Sequence, residues 1–246
     1  IGKSVDDVKQ LGQNLLGIGV GVSGVVNGED SIIMYSTRLG ISSDYDFYEE
    51  VASKFTVPVF VDNDANACVW GELAIHRERQ LRDFIFLLLE FRDYDPQRDE
   101  TCNRISVGIG FVINGSVHYG HHYSAGEFRS LYRTTESTGQ FSLTEAEQQR
   151  IFSDSAVMEK WLTELSSHVG LIVNTLNLSH IILGGAFEEL GDEVKDIMER
   201  EIRKNWPYPY EYTVRENILY SSFGKNAVAY GAAGMVLNTL FGEAEV

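Results

Sequence analysis

The residues best equipped for chemistry in this chain are the acidic turn Asp62-Asn63-Asp64 and the segment Gly120-His121-His122-Tyr123-Ser124-Ala125-Gly126-Glu127. The acidic turn follows the apolar run Val59-Phe60-Val61 and precedes a helix-forming stretch. It therefore falls at the carboxyl end of a strand, where open α/β sheets carry their ligand-binding groups. A carboxylate in that place accepts hydrogen bonds from a polyol, or takes a hydroxyl proton when a phosphoryl donor lies opposite. The competing use is structural: Asp62 or Asp64 would cap the helix that follows. The residues alone leave both uses open.

The second segment is rich in histidine. His118 and His122 are four positions apart, a spacing that aligns two ligands on a helix, but Gly120 points to a strand end instead. No cysteine lies nearby to complete a zinc tetrahedron, so no metal site is expected. Gly108-Ile109-Gly110 and Gly184-Gly185 are candidate turns for the close approach of a nucleotide, with tight strand ends as the alternative.

These groups need elements to hold them. Leu15 to Val22 reads as a buried strand, followed by turns at Ser23-Gly24 and Asn27-Gly28. Asp46 with Glu49 marks a helix start, with Phe47, Val51 and Phe55 at helical spacing. Val59–Val61 is a strand, and the helix after the acidic turn runs through Trp70 and Leu73. Phe84–Phe91 is a strand. Ile105–Ile113 and Ser116–Tyr119 flank Asn114-Gly115, the preferred two-residue hairpin turn. Gln140 to Gln149 is polar and helix-prone. Val157, Trp161, Leu165, Val169, Ile172 and Leu176 stripe a long helix. His180–Leu183 is a strand, Leu190 to Ile202 another helix, and the Ala/Gly-rich tail from Asn226 to Leu240 a helix suited to close packing. Strand, glycine turn and helix alternate, with one antiparallel hairpin, which gives an α/β chain in two lobes with a boundary near residues 72 to 82.

Composition limits the partners. Among 246 residues, 20 Lys and Arg stand against 36 Asp and Glu, a net charge of −16. A body that acidic repels phosphate backbones and anionic lipid, so it is not expected to grip DNA or membrane by itself. Cys68 and Cys102 make no disulfide framework and suit a reducing cytosol. The longest apolar run, Phe84 to Leu89, is too short to span a bilayer. Ile1 leads straight into a polar segment with no signal peptide, and the chain reads as a piece lacking its first residues.

The combination of Gly17-Ile18-Gly19-Val20-Gly21-Val22-Ser23-Gly24 with Val57-Pro58-Val59-Phe60-Val61-Asp62-Asn63-Asp64-Ala65-Asn66-Ala67 resembles the ROK family of repressors and sugar kinases. So do Gly110 to Gly115, His122 through Glu127, Ile181-Ile182-Leu183-Gly184-Gly185 and Ala227 to Ala233, all in family order. The specific part is Asn63-Asp64-Ala65-Asn66-Ala67 plus Ala125-Gly126-Glu127. The resemblance implies an actin-like (ribonuclease H-like) α/β fold of two lobes, cut short at its N-terminus, with a sugar in the cleft between the lobes. Residues 1–75 and 226–246 would form the smaller lobe and 82–225 the larger. Asn63, Asp64 and Glu127 would contact sugar hydroxyls, and in a kinase Asp64 would be the general base.

Three departures weigh against phosphoryl transfer. Family kinases follow Gly-Glu with a hydrophobic residue, Gly and a zinc-ligating His, whereas Phe128-Arg129-Ser130 stands here and Thr134 to Leu143 holds no cysteine. The phosphate-gripping Gly-Thr-Gly-x-Gly turn is replaced by Arg104-Ile105-Ser106-Val107-Gly108. The preceding Asp93, Asp95, Asp99 and Glu100 would oppose a triphosphate. The Asp-x-Gly-Gly-Thr clamp is absent before Leu15. Positioning and charge neutralisation supply nearly all the catalysis of phosphoryl transfer, so the chain reads as a sensor. Arg38 stands where the family has asparagine near the ligand. Its guanidinium would suit an acidic or phosphorylated sugar, against the ordinary fate of a surface salt bridge.

The expectation is therefore a sugar-sensing, oligomerising region of a ROK-type repressor, cytoplasmic, without cofactor or metal. Asn63, Asp64, Glu127, Ser130 and Arg38 are its candidate ligand residues. DNA would be bound only through an N-terminal helix-turn-helix outside this chain, and the sensor would be a homodimer or tetramer. A bound sugar would favour one lobe closure and so shift the DNA-competent population. The alternatives are an ATP-dependent sugar kinase using Asp64, and a fold remnant that binds no small molecule and serves in assembly.

Overall fold

The computed structural model describes residues 1–75, 81–97, 101–207 and 217–242. The expected lobe boundary takes in residues 76–80, and the acidic stretch includes Asp99 and Glu100; these lie outside the described residues. The chain divides into two compact units, one of residues 1–80, 119–124 and 228–246, the other of residues 81–118 and 125–227.

The first unit opens with helix α1 (Gly2–Gln10), in a segment that reads as merely polar. Strand β1 (Ile18–Val22) starts three residues later than its apolar run. The ladder stops there because Ile18 N donates to the carbonyl of Pro58 at 2.9 Å, and proline has no N–H to continue it. A small antiparallel sheet follows, of β2 (Val25–Asn27), β3 (Ile32–Tyr35) and β4 (Tyr45–Asp46), in a stretch where the residues read only as turns. Helix α2 (Phe47–Glu50) begins as expected, with the Asp46 carboxylate accepting from Glu49 N at 2.9 Å. It lasts one turn, because Val51 adopts φ −130° and the chain tightens into a 3₁₀ turn over Ala52–Lys54.

Strand β5 (Val59–Asn63) pairs in parallel with β1, Ile18 opposite Val59 and Val22 opposite Asn63, and runs directly into α3 (Asp64–Ile75). The alternation Ile-Gly-Val-Gly-Val gives β1 one side-chain face and one bare face. Ile18, Val20 and Val22 join Val26, Ile33, Phe47, Val59 and Val61 in a core. The use of the bare face emerges only at the end of the chain.

In the second unit, β6 (Phe84–Phe91) is central. It lies antiparallel to β7 (Ile105–Ile113) and parallel to β9 (His180–Gly185). The sheet order is β10-β9-β6-β7-β8, with β8 at Ser116–Val117 and β10 at Ile218–Tyr220. Covered on both faces, β6 is a continuous apolar run instead of an alternation. Asn114 at φ 55° and Gly115 at φ 82° close the expected hairpin with the backbone of a type I′ turn. The returning strand ends at Val117, short of the expected Tyr119, because residues 119–124 belong to the first unit. Gly108 and Gly110 lie inside β7, and Gly184 packs on the ring of Phe86 with no room for a Cβ, 2.3 Å from the nearest carbon. At these positions the strand use prevails over a nucleotide turn.

Helix α4 (Glu145–Arg150) carries a capping box between Thr144 and Glu147, and the polar residues before it do not join it. On α5 (Ser155–Leu176), Val157, Trp161, Leu165, Val169 and Val173 are buried against the sheet, while Leu176 remains 49% exposed. Helix α6 (Glu193–Lys204) packs on α5. Helix α7 (Ala227–Phe241) then returns to the first unit. A Cβ on Gly19 would lie 2.1 Å from Ala232 O, and one on Gly231 would lie 2.1 Å from Ala67 O. The bare face of β1 and the Ala/Gly helix thus come together at backbone contact with α3 alongside.

Candidate functional site

The acidic turn occupies the junction of β5 and α3. Asp62 is 1% exposed and its carboxylate accepts four hydrogen bonds. The donors are Asn63 N at 2.7 Å, Tyr119 Oη at 2.9 Å, Trp70 Nε1 at 3.2 Å and Asn66 Nδ2 at 3.3 Å. Burial raises the Asp62 carboxyl above its ordinary value, against the lowering effect of those donors. Burial and the adjoining Asp62 charge raise the Tyr119 hydroxyl in turn, so it stays protonated and donates.

Neither aspartate is the principal cap of α3. Asn63 Oδ1 accepts from Ala65 N at 2.9 Å and from Asn66 N at 3.1 Å, while its Nδ2 donates to Gly24 O at 2.8 Å. Asn63 is thus the N-cap and ties α3 to the loop after β1. Asp64, half-buried, is the first helical residue, where a negative charge is favoured by the helix dipole; its Oδ1 accepts from Ala65 N at 2.9 Å. Arg38 is exposed in a turn that hangs from Ser36, whose Oγ donates to Ser23 O at 2.7 Å. The structure places Asn63 and Asp64 side by side, and Arg38 on a separate loop of the same unit.

Glu127 and Ser130 belong to the second unit. Gly126 has φ 91° and lies so close to β7 that a Cβ would sit 2.0 Å from Ile109 O. Glu127 follows it on the surface, where partial desolvation still raises its carboxyl above the usual value although solvent reaches the residue. Ser130 is only 6% exposed: its N donates to Gln140 O at 2.9 Å and its Oγ accepts from Tyr132 N at 3.1 Å. The loop is pinned further by His168, whose Nδ1 lies 2.8 Å from Glu164 O and whose Nε2 accepts from Leu131 N at 3.1 Å. That pairing places the proton on Nδ1.

A zinc ion does not fit these residues. Ser130 spends its hydroxyl inside a turn, and among the described residues no group of three or more His, Cys, Asp and Glu is arranged to hold a metal. His118, His121 and His122 are exposed, the last two with ring centroids 4.1 Å apart.

In the stretch Arg104–Gly108, which leads into β7, the N–H groups of Arg104 and Val107 are already used. Gln148 Oε1 accepts from Arg104 N at 3.1 Å, and Gln140 Oε1 accepts from Val107 N at 3.0 Å. Gln140 Nε2 closes the pair by donating to Val107 O at 3.0 Å. The Arg104 guanidinium lies 4.3 Å over the Phe152 ring and donates to Gln149 O at 3.3 Å. Asn63 and Asn66 stand in the motif, but nothing in the sequence marks Tyr119, Gln140, Gln148 or Phe152 for these contacts. The 62-66-70 spacing marks one face of the β5–α3 junction, but nothing in the sequence links it to Tyr119.

Residues 1–91 match the model of the ROK family. Over these residues the chain is similar to the ROK family. The chain is 29% identical over 127 residues to the xylose repressor of Caldicellulosiruptor bescii, covering 52% of this chain and 28% of that protein. It is 26% identical over 121 residues to the glucokinase of Streptomyces coelicolor, covering 48% of this chain and 33% of that enzyme. It thus matches about a third of the length of each. A solved ROK family transcriptional regulator, a homologue of the E. coli MLC protein, superposes with a TM-score of 0.70 at 16% identity, over 95% of this chain and 66% of that one. The fold is that of the ROK proteins, the actin-like α/β fold expected from the motifs. No helix among the described residues is long and apolar enough to cross a membrane.

Proposed function

We propose that this chain is the sugar-sensing region of a ROK-type transcriptional repressor that works in the cytoplasm as a homo-oligomer. Contact with DNA is assigned to a helix-turn-helix outside these residues. Asp64 is the principal acceptor for sugar hydroxyls, with Asn63 beside it and Glu127 supplying a second carboxylate. Arg38 tunes the preference toward an acidic sugar, and Ser130 shapes the loop that presents Glu127.

The observation that carries this reading is the occupied backbone of Arg104–Gly108. A phosphate cradle needs several backbone N–H groups converging on one anion. Here Gln148 and Gln140 take the N–H groups of Arg104 and Val107, and the Arg104 side chain is held by Phe152 and Gln149. A triphosphate would have to break those bonds and meet a chain of net charge −16.

A second reading, an ATP-dependent sugar kinase with Asp64 as general base, is favoured by Asp64 at the head of α3 and by the likeness to a glucokinase. ADP release with magnesium-ATP and either D-glucose or D-xylose separates the two, run on these residues and on the full-length protein. No turnover is expected; sustained turnover that disappears in Asp64→Ala would establish the kinase instead. Melting in the presence of each sugar tests sensing itself. A ligand at a hundred times its Kd adds about 2.7 kcal/mol of stability. An unmoved melting curve across a panel of neutral, acidic and phosphorylated sugars would leave assembly as the function.

A further inference from the structure

Asp62 is a heavily hydrogen-bonded carboxylate that a ligand has no room to use. A carboxylate offers about four acceptor positions. At Asp62 all four are taken from inside the protein, by Asn63 N, Asn66 Nδ2, Trp70 Nε1 and Tyr119 Oη. Two of those donors flank Asp64 in the sequence: Asn63 immediately before it, Asn66 two residues after. Trp70 follows one helical turn on from Asn66. Tyr119 alone comes from far along the chain. The chain leaves the second unit after His118, crosses the first as residues 119–124, and rejoins the second at Ala125.

That crossing is held by its tyrosines. Tyr119 Oη donates to Asp62, and Trp70 Nε1 lies 3.2 Å from both the Tyr119 oxygen and Asp62 Oδ2. Tyr123 Oη donates to Glu29 at 3.1 Å on the surface, and the two tyrosine rings lie 6.0 Å apart. Gly120 at φ 74° and Tyr123 at φ 55° bend the backbone between them.

We propose that Tyr119 is a positioning residue for the Asn63–Asp64 turn, acting through the Asp62 carboxylate. This rests on the reading of Asp64 as a sugar-binding group. With the phenol on Oδ2, Oδ1 stays aligned on Asn63 N and on Asn66 Nδ2, and the turn between them is held on both sides. Without it, a buried carboxylate lacking one of its four donors rotates or takes up a proton, and either change releases the Asn63 and Asn66 contacts. The crossing segment thereby sets the shape of the candidate site while touching no ligand.

The test compares Tyr119→Phe, which keeps the ring and removes the hydroxyl, with Tyr123→Phe, which loosens the same segment at the surface without touching Asp62. Three readouts are taken on the soluble chain. Amide hydrogen exchange is followed at Asn63 and Asn66, the Trp70 indole ¹H–¹⁵N resonance is assigned by its loss in Trp70→Phe, and the Kd for D-xylose and D-glucose is measured by calorimetry. Tyr119→Phe is expected to speed exchange at Asn63 and Asn66, to move the indole resonance, and to weaken sugar binding by ~10-fold, the scale of one hydrogen bond to a charged group. Exchange along the β6–β7 ladder, which reports general unfolding, stays unchanged, and Tyr123→Phe leaves all three readouts in place. Unaltered exchange and indole resonance in Tyr119→Phe would overturn the proposal, as would equal effects from Tyr123→Phe. If neither sugar binds the wild type, the choice of sugar fails, and the exchange and indole readouts still decide the role of Tyr119.

Discussion

The β5–α3 turn, proposed as the sugar site, and the Arg104–Gly108 stretch, which the proposal excludes as a phosphate site, are built in opposite ways. At the first, buried side chains brace a turn while its half-buried carboxylate, Asp64, leads the helix. At the second, two glutamine side chains take the N–H groups of Arg104 and Val107. On the proposed reading, the groups that recognise a hydroxyl are kept and those that hold a triphosphate are lost, because the two sets are built from different materials. The former are side chains fixed by a buried network; the latter are bare N–H groups that any nearby acceptor can occupy.

The largest expected effect lies at the first place. Asp64→Asn should weaken sugar binding by ~10- to 100-fold, from the loss of one charged hydrogen bond worth about 1.5–3 kcal/mol, with the melting temperature little changed. Calorimetry checks it. An unaltered Kd would mean that Asp64 serves only the helix terminus and that the contrast between the two places is false.

The next effect lies at the second place. Gln140→Ala removes the acceptor of Val107 N and the donor to Val107 O and Phe128 O. Leaving such groups unsatisfied costs about 1–3 kcal/mol each when buried, so the unfolding free energy from urea titration should fall by an amount within that range for this half-buried site. Binding of magnesium-ATP should not appear, since Gln148 still holds Arg104 N. Saturable ATP binding in Gln140→Ala would show that a cradle lies intact beneath the glutamine.

The smallest effect sharpens the contrast by charge. The Asp62 carboxyl, buried among neutral donors, is raised above 3.8, so the folded state holds its proton longer than the unfolded chain. Its contribution is present below 3.8 and is lost as pH rises through the folded value. Glu201 in the second unit is also penalised by burial, but Lys204, Arg200 and Ser167 outweigh this and lower its carboxyl below 4.5. Its contribution is present above 4.5 and is lost as pH falls through the folded value. In melting curves between pH 3 and pH 6, the advantage of wild type over Asp62→Asn should therefore shrink with rising pH. The advantage over Glu201→Gln should grow. Parallel slopes would show that the two carboxylates do not differ in this way.

Much of this was legible in the sequence, and the legible part was local. The apolar run of β6, the Asn114-Gly115 turn, the stripe of α5 and the strand–turn–helix around Asp62 all follow from periodicity and turn chemistry within a few residues. The family motifs placed Asn63, Asp64 and Glu127 as candidates. The braces that define their surroundings were not legible, because each joins residues distant in sequence. Tyr119 reaches Asp62, Gln140 reaches Val107, and Gln148 reaches Arg104, and no local pattern marks a tyrosine or glutamine for such a use. The choice of Asn63 as helix cap was obscured for another reason. Asp62, Asn63 and Asp64 are all competent caps, and only the course of the chain past Gly24 decides which side chain turns toward α3.

The close seating of α7 against Gly19 and Ala67 also orders events in time. The first unit draws its elements from both ends of the chain, while the second comes from one stretch broken only by the six-residue crossing. During synthesis the second unit can fold as soon as it has emerged, but β1 and α3 wait with an uncovered glycine face until α7 is made. The proposed sugar-binding turn therefore belongs to the unit that is completed after the other, and truncations near Ala232 should abolish sensing while leaving the second unit folded.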